Sequence, residues 1–308
     1  PYTPQLWALI RLLAISFVGF NLASQAVPIL ERRFATQLTT GSITAMVYGT
    51  RIIWVPLQLA AAAATAILPA LSRSVAGIRF EEYDRTIRTS AEILLIVVAP
   101  IAACLFLAPR PIVSLLFEHG AFHTASVDQT VAAIRGYAIG IPVVALNQIL
   151  VTIFYAERKM RIPVFISALA LTAYIVLGTF FGLSKDIYRL SLLNSLCSMV
   201  VFLSMISALK FFASFRIGSL GKSVASLLAV SMGSFGLPLT AWYAAFYLAR
   251  TFGWSGYATG APHYPVEVVL VGVAIYVAVI SRSGIAGRLE MSGLLARYIA
   301  GKTRKAQE

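Results

Sequence analysis

Residues 41–71 read GSITAMVYGTRIIWVPLQLAAAAATAILPAL, with Arg51 as the one charge in the run. A helix of about 20 mostly apolar residues crosses the hydrocarbon core of a bilayer. Residues 52–71 alone meet that length, and the apolar character extends back to Gly41 across Arg51. The same pattern recurs along the 308-residue chain. Uncharged runs cover 12–30, 93–108, 136–156, 162–184, 190–209 and 223–249. An eighth run, 265–281, is shorter and holds Glu267 near its start. The fold class predicted is an all-α integral membrane protein with eight transmembrane helices.

Composition agrees. The chain is 59% hydrophobic and 12% charged, with mean hydropathy +0.82. Soluble domains carry about 25% charged residues. Half that value excludes disorder, collagen-like repeats and a disulfide scaffold, and speaks against a soluble enzyme. Lys and Arg number 25 against 12 Asp and Glu, a net charge of +13. In a soluble protein that balance would suggest nucleic acid. Here the basic residues sit between apolar runs, so their partner is the membrane surface, and no nucleic acid is expected. Cys104 and Cys197 lie inside apolar runs without metal-ligand spacing and read as small buried hydrophobes. The chain begins at Pro1 with no basic segment ahead of a short apolar stretch. No signal peptide is predicted, and a piece of a longer protein, cut at a lobe boundary, is expected.

Charge sets the orientation. The segments 72–90, 157–161, 210–222 and 282–308 together carry 16 Lys and Arg, and those at 31–41, 110–126, 184–189 and 250–264 carry 6. The richer side faces the cytoplasm, so both ends are predicted to be cytoplasmic. Two stretches look interfacial. Residues 77–90 read as a short amphipathic helix with Glu81/Arg85 and Asp84/Arg88 pairs. The tail places Ile285, Leu289 and Leu295 among Arg288 and Arg297, which suits a helix on an anionic leaflet or equally a solvated tail. Residues 302–308 are expected to be disordered. Pro28, Pro56, Pro69, Pro100, Pro142 and Pro238 fall within runs, where each removes a backbone bond and tends to kink its helix.

Charges inside a bilayer cost several kcal/mol and usually face a partner or a cavity. Arg51 lies about 8 residues, or roughly 12 Å, from the outer end of its helix. Thr44, Tyr48, Arg51 and Gln58 share one helical face, and Asn21, Gln25, Pro28 and Arg32 form a similar stripe in the first run. Two polar-striped helices in succession read as walls of a water-filled cavity. The competing reading of Arg51 is a side chain snorkelling to the outer surface. Glu31, Arg32 and Arg33 form either an interfacial charge cluster or a site in which Glu31 faces inward, holding a cation or pairing with an arginine. Arg135, near Asp128, reads as a surface residue. Two further stripes, Gln148/Thr152/Tyr155 and Ser191/Asn194/Ser195/Ser198, suit helix–helix hydrogen bonding. His119, His123 and His263 have no metal-ligand spacing, no phosphate-binding glycine loop is present, and Glu81, Glu82 and Asp84 read as a solvated helix rather than a metal-binding pair. Hence no catalytic residue, metal or cofactor is predicted, and no enzyme.

Three motifs carry a resemblance. The first is Gly41-Ser-Ile-Thr-Ala-Met-Val-Tyr48-Gly-Thr-Arg51, continuing to Pro56 and then Ile67-Leu-Pro69-Ala-Leu-Ser72. The second is Leu115-Leu-Phe-Glu-His-Gly-Ala-Phe122, and the third is Phe154-Tyr-Ala156 followed by Pro163. In this order and spacing they resemble the eighth helix and following segments of the MurJ/MviN lipid II flippases, of the multidrug/oligosaccharidyl-lipid/polysaccharide exporter superfamily. The family pattern has Arg where this chain has His119. The resemblance implies a six-helix C-terminal lobe at 1–210, two additional helices at 211–283 forming a groove for a lipid tail, and a basic tail at 284–308. It implies that Arg51 engages a substrate diphosphate, with Thr44, Tyr48, Gln25 and Asn21 along the cavity. Glu31, with Arg32 beside it, falls near the acidic residue of a sodium site in some members. Those members complete that site on the eleventh helix with Asn and Asp. Here the helix reads Ile166-Ser-Ala-Leu-Ala-Leu-Thr-Ala-Tyr-Ile175 and has neither.

The resemblance thus implies a flippase fragment of the bacterial inner membrane that works with a missing N-terminal lobe. Its substrate would be lipid II or a related polyprenyl-diphosphate glycolipid, carried by alternating access. The alternatives are a flippase for another polyprenyl-linked glycan, of O-antigen or capsule type, and a non-transporting scaffold of envelope synthesis. A membrane-embedded transferase is disfavoured by the missing acidic pair.

Overall fold

The computed structural model describes residues 25–77, 80–120, 122–180, 186–212, 229–234, 236–238, 240–241 and 266–282. These residues are helical with short turns, and no strand occurs among them. The elements are α1 (25–35), α2 (Ser42–Ala76), α3 (Phe80–Leu107), α4 (Pro109–Phe117), α5 (Thr124–Ala138), α6 (Ile141–Ala156), α7 (Arg161–Phe180), α8 (Ile187–Phe212) and α9 (Val266–Arg282). Short helical stretches also occupy 229–234, 236–238 and 240–241.

α2 is the central helix and packs against α3, α5 and α6. Its buried stripe is made of small and branched residues, Ala45, Ile53, Ala60, Ala64 and Leu71. A Cβ placed on Gly49 would stand 3.3 Å from Ala133 Cβ. Small side chains let backbones approach closely, which drives helix association where lipid offers no hydrophobic contrast. The opposite face exposes Trp54, Val55 and Leu59. α2 runs through both Pro56 and Pro69 as one helix, and α3 runs through Pro100.

α5 and α8 meet even more closely. A Cβ on Gly136 would lie 2.6 Å from Ser191 Cβ and 2.6 Å from the Tyr188 carbonyl oxygen. The Ser195 hydroxyl donates to the Gly136 carbonyl at 2.7 Å, and the Asn147 side-chain amide donates to the Ser198 carbonyl at 3.2 Å. Of the stripe Ser191/Asn194/Ser195/Ser198, the Ser195 hydroxyl and the Ser198 carbonyl thus join helices, while the Ser191 and Ser198 hydroxyls donate to the Ile187 and Asn194 carbonyls of α8 itself.

The structure corrects two expectations. Residues 77–90 are not a separate interfacial helix: from Phe80 onward they are the first turns of α3. Tyr83, Ile87, Ala91, Leu94 and Val98 continue one buried stripe with no breaker between them. The Tyr83 hydroxyl, on a residue only 1% exposed, donates to Glu157 Oε1 at 2.9 Å and ties this end to α6. Second, the run 136–156 is not one straight helix. α5 and α6 meet at a 45° bend, because Ile139 and Gly140 form a turn and Pro142 cannot donate a backbone bond. The amphipathic helix α5 begins well before the apolar run and was not anticipated, nor was α4, which Pro109 starts.

Four described helices, within Ser42–Val75, Tyr83–Leu107, Arg161–Phe180 and Ile187–Leu209, have the length and hydropathy to cross a membrane, and the bent α5–α6 pair makes five. α9 is a shorter apolar helix at the place of the eighth run, held by the Tyr276 hydroxyl donating to the Ile96 carbonyl at 2.8 Å. The predicted runs 12–30 and 223–249 lie mostly outside the described residues, as does the tail 284–308. The protein is a multi-pass membrane protein.

Gly136→Ala is expected to force α5 and α8 apart. Overpacking of this kind costs about 1–3 kcal/mol, so thermal unfolding in detergent should shift to lower temperature. Gly233→Ala, where a Cβ meets nothing within 4 Å, should leave the midpoint unmoved or raise it.

Candidate functional site

The first turns of α2 carry Thr44 and Tyr48 toward the segment that joins α4 to α5. α2 starts on Gly41, whose backbone has φ +92, the left-handed region open to glycine. The Gln129 amide of α5 donates to Thr39 Oγ1 and to the Thr40 carbonyl, each at 3.3 Å, and so fixes this start. Across from it, Gly120 (φ +60) turns the chain and the Phe122 N–H donates to the His119 carbonyl at 3.2 Å. This brings three aromatic rings together. Tyr48 lies 4.8 Å from Phe117 and 5.3 Å from Phe122 between ring centroids, the latter edge-to-face, and Phe117 lies 6.0 Å from Phe122. All three contacts fall in the favourable range for aromatic pairs.

These rings wall a cleft of about 450 Å³ lined by Gly41, Thr44, Ala45, Tyr48, Phe117, His119, Phe122 and Ser126. Its lining holds hydroxyls and one imidazole but no Asp, Glu, Lys or Arg. Arg51 stands at its edge. Its guanidinium carbon is 5.7 Å from the Tyr48 ring centroid, a cation–π distance. Arg51 is exposed, and no carboxylate pairs with it among the described residues.

A second cavity, about 260 Å³, opens between α1, α2, α5 and α8. Gln25, Glu31 and Arg32 of α1 line it together with Thr50, Tyr137 and Asn194. Glu31 is only 7% exposed. It accepts a hydrogen bond from the Tyr137 hydroxyl at 2.8 Å and longer ones from the Asn194 amide at 3.4 and 3.5 Å. Arg32 and Arg33 are exposed. Glu31 faces the interior of the bundle. Its partners are neutral donors from α5 and α8, and no Glu31–Arg32 ion pair forms among the described residues. Among the described residues no group of three His, Cys, Asp or Glu side chains is placed to hold a metal.

The predicted site residues thus divide between two places. Thr44 and Tyr48 line the aromatic cleft with Arg51 beside it, Gln25, Glu31 and Arg32 line the second cavity, and Asn21 lies outside the described residues. Arg135 is half-buried, and Asp128 pairs with Arg110 instead, at 2.6 Å. Sequence reasoning missed Tyr137 and Asn194 as partners of Glu31. It also missed Phe117, His119 and Phe122 as walls of the cleft, although all three stand in the motif 115–122.

A sequence profile described as Lipid II flippase MurJ matches residues 3–258. A probable lipid II flippase MurJ of Bdellovibrio bacteriovorus is 26% identical over 178 residues, which are 58% of this chain and 34% of that protein. Its counterpart in Buchnera aphidicola subsp. Baizongia pistaciae is 30% identical over 169 residues, 54% of this chain and 33% of that protein. Among solved structures, a lipid II flippase MurJ in an inward closed conformation superposes with TM-score 0.69 at 18% identity, covering 94% of this chain and 57% of that one. An outward-facing multidrug resistance MATE family transporter of the MOP superfamily gives TM-score 0.51 at 13% identity, covering 94% of this chain and 68% of that one. The chain matches about a third of the length of these curated relatives. With the three motifs, the helical fold and the profile match in agreement, the chain belongs to the MurJ lipid II flippase family.

Proposed function

We propose that this chain is one lobe of a lipid II flippase of the bacterial inner membrane, with its two ends in the cytoplasm. It comprises residues 1–210, with the lipid-tail helices at 211–283 and a basic tail after 284. Facing a second six-helix lobe, it moves the polyprenyl-diphosphate-linked precursor to the outer leaflet by alternating access. No bond is made or broken, and no cofactor is involved.

The observation that carries this reading is Arg51. It shares an exposed face of α2 with Thr44 and Gln58, and a surface meant for lipid would not carry an amide and a guanidinium with no carboxylate partner among the described residues. Such a face fits the wall of a wet cleft between lobes. A guanidinium there forms charge-assisted, bidentate bonds with phosphate oxygens. Moving a cationic cavity through the membrane potential is worth about 2.3 kcal/mol per charge per 100 mV, enough to bias the return stroke.

Glu31 supports the architecture in a different way. Its neighbours donate hydrogen bonds to it, so the carboxyl ties α1 to α5 and α8. In this reading the tie, rather than a resident sodium ion, is its first role.

In the full-length gene product, Arg51→Ala should lower lipid II translocation by about tenfold or more, the loss of one charge-assisted phosphate contact. Arg51→Lys should keep part of it, as a point charge without the fork. The measurement is the inner-leaflet build-up of lipid-linked precursor in cells depleted of their own flippase. Unchanged translocation in Arg51→Ala would remove the basis for the proposal, and build-up of a different lipid-linked glycan would reassign the substrate.

Glu31→Ala strands the Tyr137 hydroxyl and the Asn194 amide. Each buried group left unpaired costs about 1–3 kcal/mol, so the unfolding midpoint should fall, and Glu31→Gln should recover most of it. Should Glu31→Gln fold normally and yet fail to transport, the carboxyl charge itself would be required and the cation-site reading would prevail.

A further inference from the structure

The aromatic cleft at the start of α2 has chemistry that an anchor for phosphate does not need. Its walls carry no formal charge from Asp, Glu, Lys or Arg. Its base is apolar, made of the Tyr48, Phe117 and Phe122 rings. Its polar lining is made of the Thr44 and Ser126 hydroxyls and the exposed His119. At about 450 Å³ it lies within the size range of small-ligand sites. A ring with one C–H face and a belt of hydroxyl or amide groups satisfies both surfaces at once: C–H against aromatic face, hydroxyl against hydroxyl. That is a pyranose.

The position narrows this further. Arg51 and the cleft share one side chain, Tyr48, with the guanidinium 5.7 Å from the ring. A diphosphate seated on Arg51 carries a group at each end, and the hydroxyl and imidazole lining of the adjoining cleft suits the sugar end rather than the hydrocarbon end. We propose that the cleft formed by Thr44, Tyr48, Phe117, His119, Phe122 and Ser126 is a subsite for the phosphate-proximal sugar ring of a polyprenyl-diphosphate glycolipid. It holds that ring while Arg51 holds the diphosphate. This rests on the reading of Arg51 as the phosphate anchor. The motif 115–122 then contributes a wall of the site, and His119 in its lining is a specificity position.

The test is binding of two probes, lipid II and sugar-free undecaprenyl diphosphate, to the full-length gene product in lipid nanodiscs. Thr44→Val and His119→Ala alter exposed side chains and spare the packing. Phe122→Leu removes one ring and is read only where its thermal unfolding matches the parent. The double variant Thr44→Val/His119→Ala, and Phe122→Leu, should each weaken lipid II by about tenfold and leave undecaprenyl diphosphate within about twofold. Arg51→Ala should weaken both probes. The subsite is overturned if the cleft variants bind lipid II as the parent does, or lose both probes equally. It is also overturned, with the Arg51 reading intact, if the parent binds the two probes equally tightly. If the parent binds neither probe, the anchor reading falls and the subsite with it.

Discussion

In hydrocarbon there is no water to satisfy a polar group, and the hydrogen bonds between these helices answer to that constraint. The Ser195 hydroxyl reaches across to the Gly136 carbonyl, the Asn147 amide to the Ser198 carbonyl, and the Tyr276 hydroxyl to the Ile96 carbonyl. Each bond joins two helices. Gly136, with no Cβ between α5 and α8, lets the first of these reaches close. Glu31 is the most demanding case, a carboxyl almost wholly enclosed and met by donors from two other helices. Against this background Arg51 stands out, exposed and without a carboxylate partner among the described residues.

α2 accordingly divides its labour by face. One side is small, buried and structural. The other begins in the aromatic cleft, passes Arg51 and ends among apolar residues open to the surroundings. A single helix can do both because its two faces follow from one period of about 3.6 residues. Substitution on one face leaves the register of the other untouched, so the open face can vary without loosening the bundle.

Much of this was legible in the residues. The apolar runs announced α2, α7, α8 and α9 nearly in place, and the face shared by Thr44, Tyr48 and Arg51 followed from spacing. What spacing cannot show is which distant element completes a site. Tyr137 looked like one more aromatic in an apolar run, and Asn194 like one member of a serine-rich stripe. Their meeting at Glu31 depends on how α1, α5 and α8 cross. The same holds for Phe117 and Phe122, whose motif was visible but whose partner, Tyr48, lies far away in the chain. α3 misled for another reason: its charged first turns resemble a surface helix, and only the buried stripe from Tyr83 onward shows that they belong to the core.

The elbow between α5 and α6 has a mechanical meaning. At Gly140 the ladder shortens, its N–H donating to the Tyr137 carbonyl three residues back at 2.9 Å, and Pro142 has no N–H to offer Ala138. The joint is already missing the bond that a change of angle would otherwise have to break. Ser195 packs against Gly140 so tightly that a Cβ there would lie 2.7 Å from the serine hydroxyl. The bend is thus pinned sideways by α8 at the place where its own backbone ladder is thinnest.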